Sequence, residues 1–286
     1  MFAALLLLQT ALPAPGWVRD PRPLPSALSE SSALARSPVH PGVLWTLNDS
    51  DNPADLFAID TAGKLLGTVR VSGTRNVDWE ALATGPCPAP RPTGPLADCL
   101  YIGDIGDNVR VRPSVTIYRV REPDPARDTT VPVLDSLRVV YQDGARDAES
   151  MAVDARGDLW IVSKERVRAP RLYRVSRMAW LGSRTATARF VDSLPIPSAG
   201  GIESWTTDAS WSADGSALMV RTYGALWRVP IVGGIPRARG TRAICSLGGL
   251  GPQGEGLVAL SGDLYAISSE KLFGSPASVA VVKCGG

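Results

Sequence analysis

Short runs of Val, Ile, Leu and aromatic residues, bounded by Gly, Pro, Asp or Asn, follow one another along this chain, and no long stretch keeps a helical period. Runs of this kind predict β-strands. One run repeats closely. Leu56-Phe57-Ala58-Ile59 is echoed by Ile117-Tyr118-Arg119-Val120, Leu172-Tyr173-Arg174-Val175 and Leu226-Trp227-Arg228-Val229. Successive side chains of a strand point to opposite faces. These echoes therefore read as equivalent strands whose alternate residues face neighbouring sheets.

A second repeat is led by an acid. Glu30 leads to Leu44-Trp45, Glu80 to Leu100-Tyr101, Glu149 to Leu159-Trp160, Asp208 to Leu218-Met219 and Glu255 to Leu264-Tyr265. Successive acids are 50, 69, 59 and 47 residues apart. Self-similarity at this period is the signature of a β-propeller with one unit per blade. The expected fold is all-β: a five-bladed propeller of four-stranded antiparallel blades, with six blades as the alternative. The last unit holds only three strands, Gly254 to Lys283, so Trp17 to Leu24 is expected to supply its fourth. Ring closure removes exposed sheet edges. In the fourth unit Glu203 competes with Asp208. Asp208 lies seven residues before Gly215, as Glu255 does before Gly262, whereas Glu203 lies twelve before its turn.

The repeat runs from about residue 25 to the end without a linker, which argues for one domain over 15–286. The 286 residues are ample for a core. A net charge of +2 gives no reason to expect nucleic acid as a partner. Met1 to Leu12 is apolar but too short to span a bilayer. With Ala11 and Ala14 it reads as a signal segment over 1–14 that lacks a basic start, or alternatively as a buried N-terminal strand. The four cysteines show no C-x-x-C spacing. In an exported protein they read as disulfides Cys87–Cys99 and Cys245–Cys284; otherwise they are small core residues. The expected protein is a secreted or periplasmic monomer without a transmembrane segment.

Equivalent strand positions in every blade point at one axis, so Glu30, Glu80, Glu149, Asp208 and Glu255 are candidate metal ligands. Two carboxylates about 6 Å apart repel by roughly 3 kcal/mol at an effective dielectric near 20. Such a ring must be protonated, paired with Lys or Arg, or filled by a cation, and hard oxygen donors suit Ca²⁺. The alternative is that each acid caps backbone N–H groups at the channel mouth. Asp49, Asp104, Asp107 and Glu203 are further metal or substrate candidates, although Asp-, Asn- and Gly-rich stretches also make ordinary turns. Arg110, Lys164, Arg166 and Arg221, together with Arg112 and Arg168, are candidates for anion binding, or form a solvated rim. The only histidine, His40, sits in the turn Ser37-Pro38-Val39-His40-Pro41-Gly42. There is no G-x-S-x-G elbow, which argues against a Ser-His-Asp hydrolase.

Leu44 to Ser50, Val77 to Leu82, Tyr101-Ile102-Gly103-Asp104-Ile105-Gly106-Asp107-Asn108, Ile117 to Pro123, Asp147 to Ser150 and Arg221 to Tyr223 together resemble a group of exported bacterial β-propellers labelled phytase-like or esterase-like. The resemblance covers Glu30 to Glu270 and is most specific at Gly103 to Asn108. It implies calcium-dependent phosphoester hydrolysis at the propeller mouth, on a small anionic substrate, and assigns no catalytic residue. The competing expectation is a non-catalytic propeller that binds a ligand or protein and whose calcium is structural.

Overall fold

A computed structural model describes residues 12–87, 98–182, 185–248 and 253–285. Most of the expected signal segment, 1–11, and the tip of the Cys87–Cys99 loop, 88–97, lie outside the described residues. The chain opens with β1 (Gly16–Pro23), then β2 (Ser31–Arg36), β3 (Val43–Asn48), β4 (Asp55–Asp60) and β5 (Leu65–Ser72). Next come β6 (Trp79–Pro86), β7 (Asp98–Asp104), β8 (Val115–Arg121), a short β9 (Thr129–Pro132) and β10 (Asp135–Tyr141). β11 (Ala148–Val153), β12 (Leu159–Ser163), β13 (Arg171–Val175) and β14 (Thr185–Ser193) follow. The chain finishes with β15 (Thr206–Trp211), β16 (Ala217–Thr222), β17 (Ala225–Val232), β18 (Ile235–Pro236), β19 (Arg242–Ser246), β20 (Gly254–Ser261), β21 (Leu264–Ser269) and β22 (Ser278–Lys283).

The strands pair as antiparallel meanders: β2-β3-β4-β5, β6-β7-β8-β10, β11-β12-β13-β14, β15-β16-β17-β19 and β20-β21-β22-β1. The expected fourth strand near Trp17–Leu24 is present as β1, paired from Gly16↔Lys283 to Pro23↔Ser278. The first strands meet in a closed ring, β2 beside β6, then β11, β15, β20 and β2 again. At one end of the channel they enclose, Leu34, Leu82, Ala152, Ser210 and Val258 line a cavity of about 160 Å³. The Pro-containing connection after Glu122 forms β9, which runs parallel to β5 along its outer edge, and β14 likewise lies parallel to β10.

Apolar clusters fill the seams between neighbouring meanders. Trp45, Leu56 and Ala58 face one neighbour while Phe57 and Ile59 face the other, as strand alternation requires. Leu172 and Tyr173 divide in the same way. Close packing also dictates glycine at particular places. A Cβ at Gly254 would stand 1.9 Å from Arg221 Nη2, and one at Gly256 would stand 2.4 Å from Ser268 Oγ.

Both expected disulfides are formed, Cys87–Cys99 with Cα atoms 5.1 Å apart and Cys245–Cys284 with Cα atoms 5.5 Å apart. The second spans 39 residues and ties β19 to the end of β22. Closing a loop of that length in the unfolded chain is worth about 4 kcal/mol on the chain-entropy account. Replacing both Cys245 and Cys284 by Ser should lower the melting temperature by about 8 °C. Scanning calorimetry checks this, and an unchanged melting temperature would refute it.

Candidate functional site

Each first strand carries a register shift near its start, at Ser32, Glu80, Glu149, Thr207 and within Glu255-Gly256. A bulge re-aims its side chain out of the ladder. Ser32, Glu80, Glu149, Thr207 and Glu255 are therefore the equivalent positions, and the two outlying acids of the sequence repeat occupy other registers. Glu30 precedes the bulge by two residues, as Asp78 and Asp147 do, and it is exposed. Asp208 follows the bulge by one and is fully buried.

A second set of side chains comes from the residue that follows each second strand: Asp49, Ile105, Lys164, Tyr223 and Glu270. Four of these are held by the same bond back to the residue ahead of the first strand: Asp49 N–H to Glu30 O (3.0 Å), Lys164 to Asp147 O (2.9 Å), Tyr223 to Trp205 O (3.2 Å) and Glu270 to Gln253 O (2.9 Å). At β7 the bond slips by one residue, and Gly106 N–H donates to Asp78 O at 3.2 Å.

The two sets meet at the channel mouth and divide it by charge. Lys164, itself buried, pairs with Glu149 Oε1. Burial alone would lower the Lys164 ammonium, but Glu149 and Glu255 outweigh it and raise it. Glu255 accepts a 2.7 Å hydrogen bond from Tyr223. Next to the Lys164–Glu149 pair Glu80 Oε2 accepts a 2.7 Å bond from Ser32, and Asp49, Asp78 and Glu80 bring one carboxylate oxygen each within 4.8 Å of one another. Burial is the main cause that raises all three; the charge of Glu30 adds to it at Asp49, that of Asp49 at Asp78, and those of Glu149 and Asp49 at Glu80, and Asp78 is brought to about 7. At 4.8 Å each charged pair would repel by roughly 3 kcal/mol at a dielectric near 20.

The remaining candidates lie outside this cluster. Asp208 Oδ2 accepts from Leu257 N–H (2.6 Å) and Leu34 N–H (3.3 Å), and its Oδ1 accepts from Ala209 N–H (2.7 Å), so one side chain ties β15 to β20 and β2. Arg221 donates to the carbonyls of Gly256 (2.6 Å) and Ser268 (2.7 Å), and burial lowers it to about 10. Asp104 holds Arg112 at 2.7 Å, and Asp107 caps its own loop by accepting from Val111 N–H (2.9 Å) and Arg112 N–H (2.8 Å). Arg110 bonds Glu165 at 3.0 Å, and Arg166 bonds Asn108 at 2.8 Å and lies over the Trp205 ring. Glu203 is exposed in a short 3₁₀ segment. His40 lies in the turn between β2 and β3, at the other end of the strands.

Sequence reasoning did not single out Asp78 or Glu270. Asp78 had a visible signal in the spacing Asp78-Trp79-Glu80, matched by Asp147-Ala148-Glu149, since residues two apart on a strand share a face. Glu270 had one in its place directly after a second strand. Burial and the charges of Glu255, Asp49 and Glu30 push Glu270 up to about 9. A carboxyl raised in the folded state stabilises the fold below its unfolded value of about 4.3, and that contribution is lost as pH climbs towards 9. In chelator, Glu270→Gln should melt close to the unsubstituted protein at about pH 5 and increasingly above it towards about pH 9. Melting curves across that range check this, and a constant difference would refute it.

Meanders set around a channel, with the mouth built by strand ends, define a β-propeller-like fold. One solved structure agrees on the fold, and two more are weaker likenesses. The PQQ-bound aldose sugar dehydrogenase of Streptomyces coelicolor superposes with a TM-score of 0.52 at 13% identity, covering 95% of this chain and 100% of that one. The glutaminyl cyclase of Myxococcus xanthus gives 0.49 at 9% identity over 97% and 100% of the two chains. Regucalcin, a calcium-binding protein of Agrobacterium tumefaciens, gives 0.47 at 14% identity over 98% of each. No protein-family description and no curated protein matches the sequence. Among the described residues no helix is long and apolar enough to cross a membrane.

Proposed function

We propose that this is an exported five-bladed β-propeller that binds one divalent cation, with Ca²⁺ the best fit, on Asp49, Asp78 and Glu80, and that it acts on a small anionic ligand at that ion. The carrying observation is the approach of three carboxylates within 4.8 Å, none of which pairs with a Lys or Arg among the described residues. Three hard, anionic oxygens suit Ca²⁺ or Mg²⁺ rather than a softer metal. The five meanders and their ring of first strands support the blade count, and the two disulfides support export. When bound, the ion would supply charge to polarise a phosphoryl or carboxyl oxygen. In the metal-free protein Asp78, raised to about 7, takes up a proton below neutral pH, which the ion would displace on binding. Calcium-dependent phosphoester hydrolysis, which the sequence resemblance implies, is the activity to assay first.

The reading as a non-catalytic propeller has its own support. Lys164 neutralises the Glu149 side of the mouth, and Asp208 is spent on backbone N–H groups, so much of the acidic set serves the fold. One experiment separates the two. Calorimetric titration with Ca²⁺ should give one site per chain, lost in Asp49→Asn, and phosphate-ester turnover should follow that occupancy. Binding without turnover selects the non-catalytic reading, and no binding refutes the cation site altogether.

A further inference from the structure

The mouth face carries apolar side chains at the tips of separate loops. Val109 and Val111, in the loop after β7, are 74% and 71% exposed, and Val167, in the loop after β12, is 79% exposed. Ile202 stands just ahead of β15 at 55%. Phe273, in the loop after β21, is 95% exposed. These loops all follow a second strand or precede a first strand, so they belong to one end of the propeller and stand around its axis.

Phe273 is the sharpest case. It sits in a two-residue turn closed by Leu272 N–H to Ser275 O (3.1 Å) and Ser275 N–H to Leu272 O (2.9 Å), with φ of +46° at Phe273 and +86° at Gly274. A bulky aromatic residue in the left-handed region is strained, and glycine or asparagine serves such a turn better. At 95% exposure the ring gives the fold no packing in return.

Charge adds a second, independent observation. In the adjacent loops 105–114 and 164–170 the acids, Asp107 and Glu165, are buried and hydrogen-bonded inward. The ionic groups left at their surface are arginines: Arg110 and Arg112 half-buried, Arg166 and Arg168 exposed. The two loops are joined by the Arg110–Glu165 and Arg166–Asn108 bonds, so the valines and arginines form one patch. Elsewhere at this end the exposed ions are mixed, Glu30, Asp51 and Glu203 with Arg75 and Lys271, so the basic and apolar character belongs to these two loops, and it is what an anionic interface attracts.

We propose that the mouth face docks on an anionic lipid bilayer, with Val109, Val111, Val167 and Phe273 entering the interfacial layer and Arg166 and Arg168 meeting the headgroup phosphates. The proposal does not rest on the cation site, although docking by this face sets the mouth of that site against the bilayer.

The test is sedimentation of the full chain with vesicles of phosphatidylcholine, with and without phosphatidylglycerol, in chelator and again in Ca²⁺. Binding to the anionic vesicles should appear in chelator. The pair Val109→Asp and Val167→Asp should lower the partition coefficient about tenfold or more, and Arg168→Gln about fivefold. Phe273→Gly should weaken vesicle binding while holding or raising the melting temperature, because it removes strain; a purely structural phenylalanine would lower it. The proposal is overturned by no binding to anionic vesicles, or by binding indifferent to the valine and phenylalanine substitutions. It is overturned equally by binding that exists only in Ca²⁺, which would be cation bridging. Competition by inorganic phosphate or by poly-glutamate at concentrations matched to the lipid phosphate would point to a free anion or an acidic protein partner and would also overturn it.

Discussion

Lys164→Met should destabilise the protein by about 3–5 kcal/mol, the usual cost of removing one partner from a buried ion pair. Lys164 is nine-tenths buried and its ammonium contacts Glu149, whose second oxygen has no partner. With methionine the shape is kept and the charge is lost, so Glu149 and Glu255 face each other without compensation. Both would then take up protons, and the cost should grow as pH rises above the ordinary carboxylate range, about 4.3. The melting temperature should fall by about 6–10 °C near neutral pH. Adding Glu149→Gln should restore part of the loss, and the double variant should be more stable than the sum of the singles. Urea unfolding of the four proteins reads the coupling directly. A single variant within about 1 kcal/mol of the unsubstituted chain would show that Lys164 is a bystander.

This prediction reverses what charge counting along the chain suggests for Glu149. If the five acids of the repeat formed one repelling ring, Glu149→Gln would stabilise the metal-free protein. With Lys164 bonded to it, the same substitution orphans a buried ammonium and should destabilise.

The strands, their echoes and the missing fourth strand of the last meander were legible because each is a local matter: period-two alternation, turn residues, and one unit short of a strand. Val43–Asn48 and Ser278–Lys283 are where the pattern put them. The disulfides were legible for the same reason, since the spacing of the four cysteines leaves few sensible pairs. The charge arrangement of the mouth was not, because it depends on register at the bulges. One residue of slip turns a side chain from the channel into the ladder. Glu30 stands in line with Asp78 and Asp147, not with Glu80, and Asp208 stands one residue past its bulge. Both acids matched the sequence pattern by spacing alone. Lys164 was visible as a basic residue after a second strand, but nothing in the chain says that it points at Glu149 and not at solvent. That choice belongs to packing against Trp205 and Tyr223, whose rings lie 5.8 and 5.6 Å from its ammonium.

Asp78 carries the other large expectation. Its carboxyl is packed against Gly106, where a Cβ would stand 2.4 Å from the Asp78 carboxyl carbon. The loop around Gly106 has no room to retreat, since Arg112 bonds Gly106 O (2.7 Å) and Asp104, and Asp107 caps the same turn. Gly106→Ala should therefore push Asp78 away from Asp49 and Glu80 and weaken Ca²⁺ binding at least tenfold, while also lowering the metal-free melting temperature. Asp78→Asn should weaken binding as strongly but raise the metal-free melting temperature, because it removes a repelling charge and keeps the size. The unsubstituted protein should gain about 2.7 kcal/mol at a hundredfold excess of Ca²⁺ over its dissociation constant. Its apparent affinity should fall at least tenfold per pH unit below 7, where Asp78, with Glu80 raised beside it, holds a proton that the cation must displace. Asp128→Asn, on the outer connection where it accepts from Thr68 N–H at 2.7 Å, should leave the response to Ca²⁺ unchanged. The opposite signs expected for Gly106→Ala and Asp78→Asn in the metal-free state, with the same loss of the Ca²⁺-induced shift, are hard to produce any other way. Calorimetric melting with and without Ca²⁺ measures both at once, and a full Ca²⁺-induced shift in either variant would place the ion elsewhere than on Asp78.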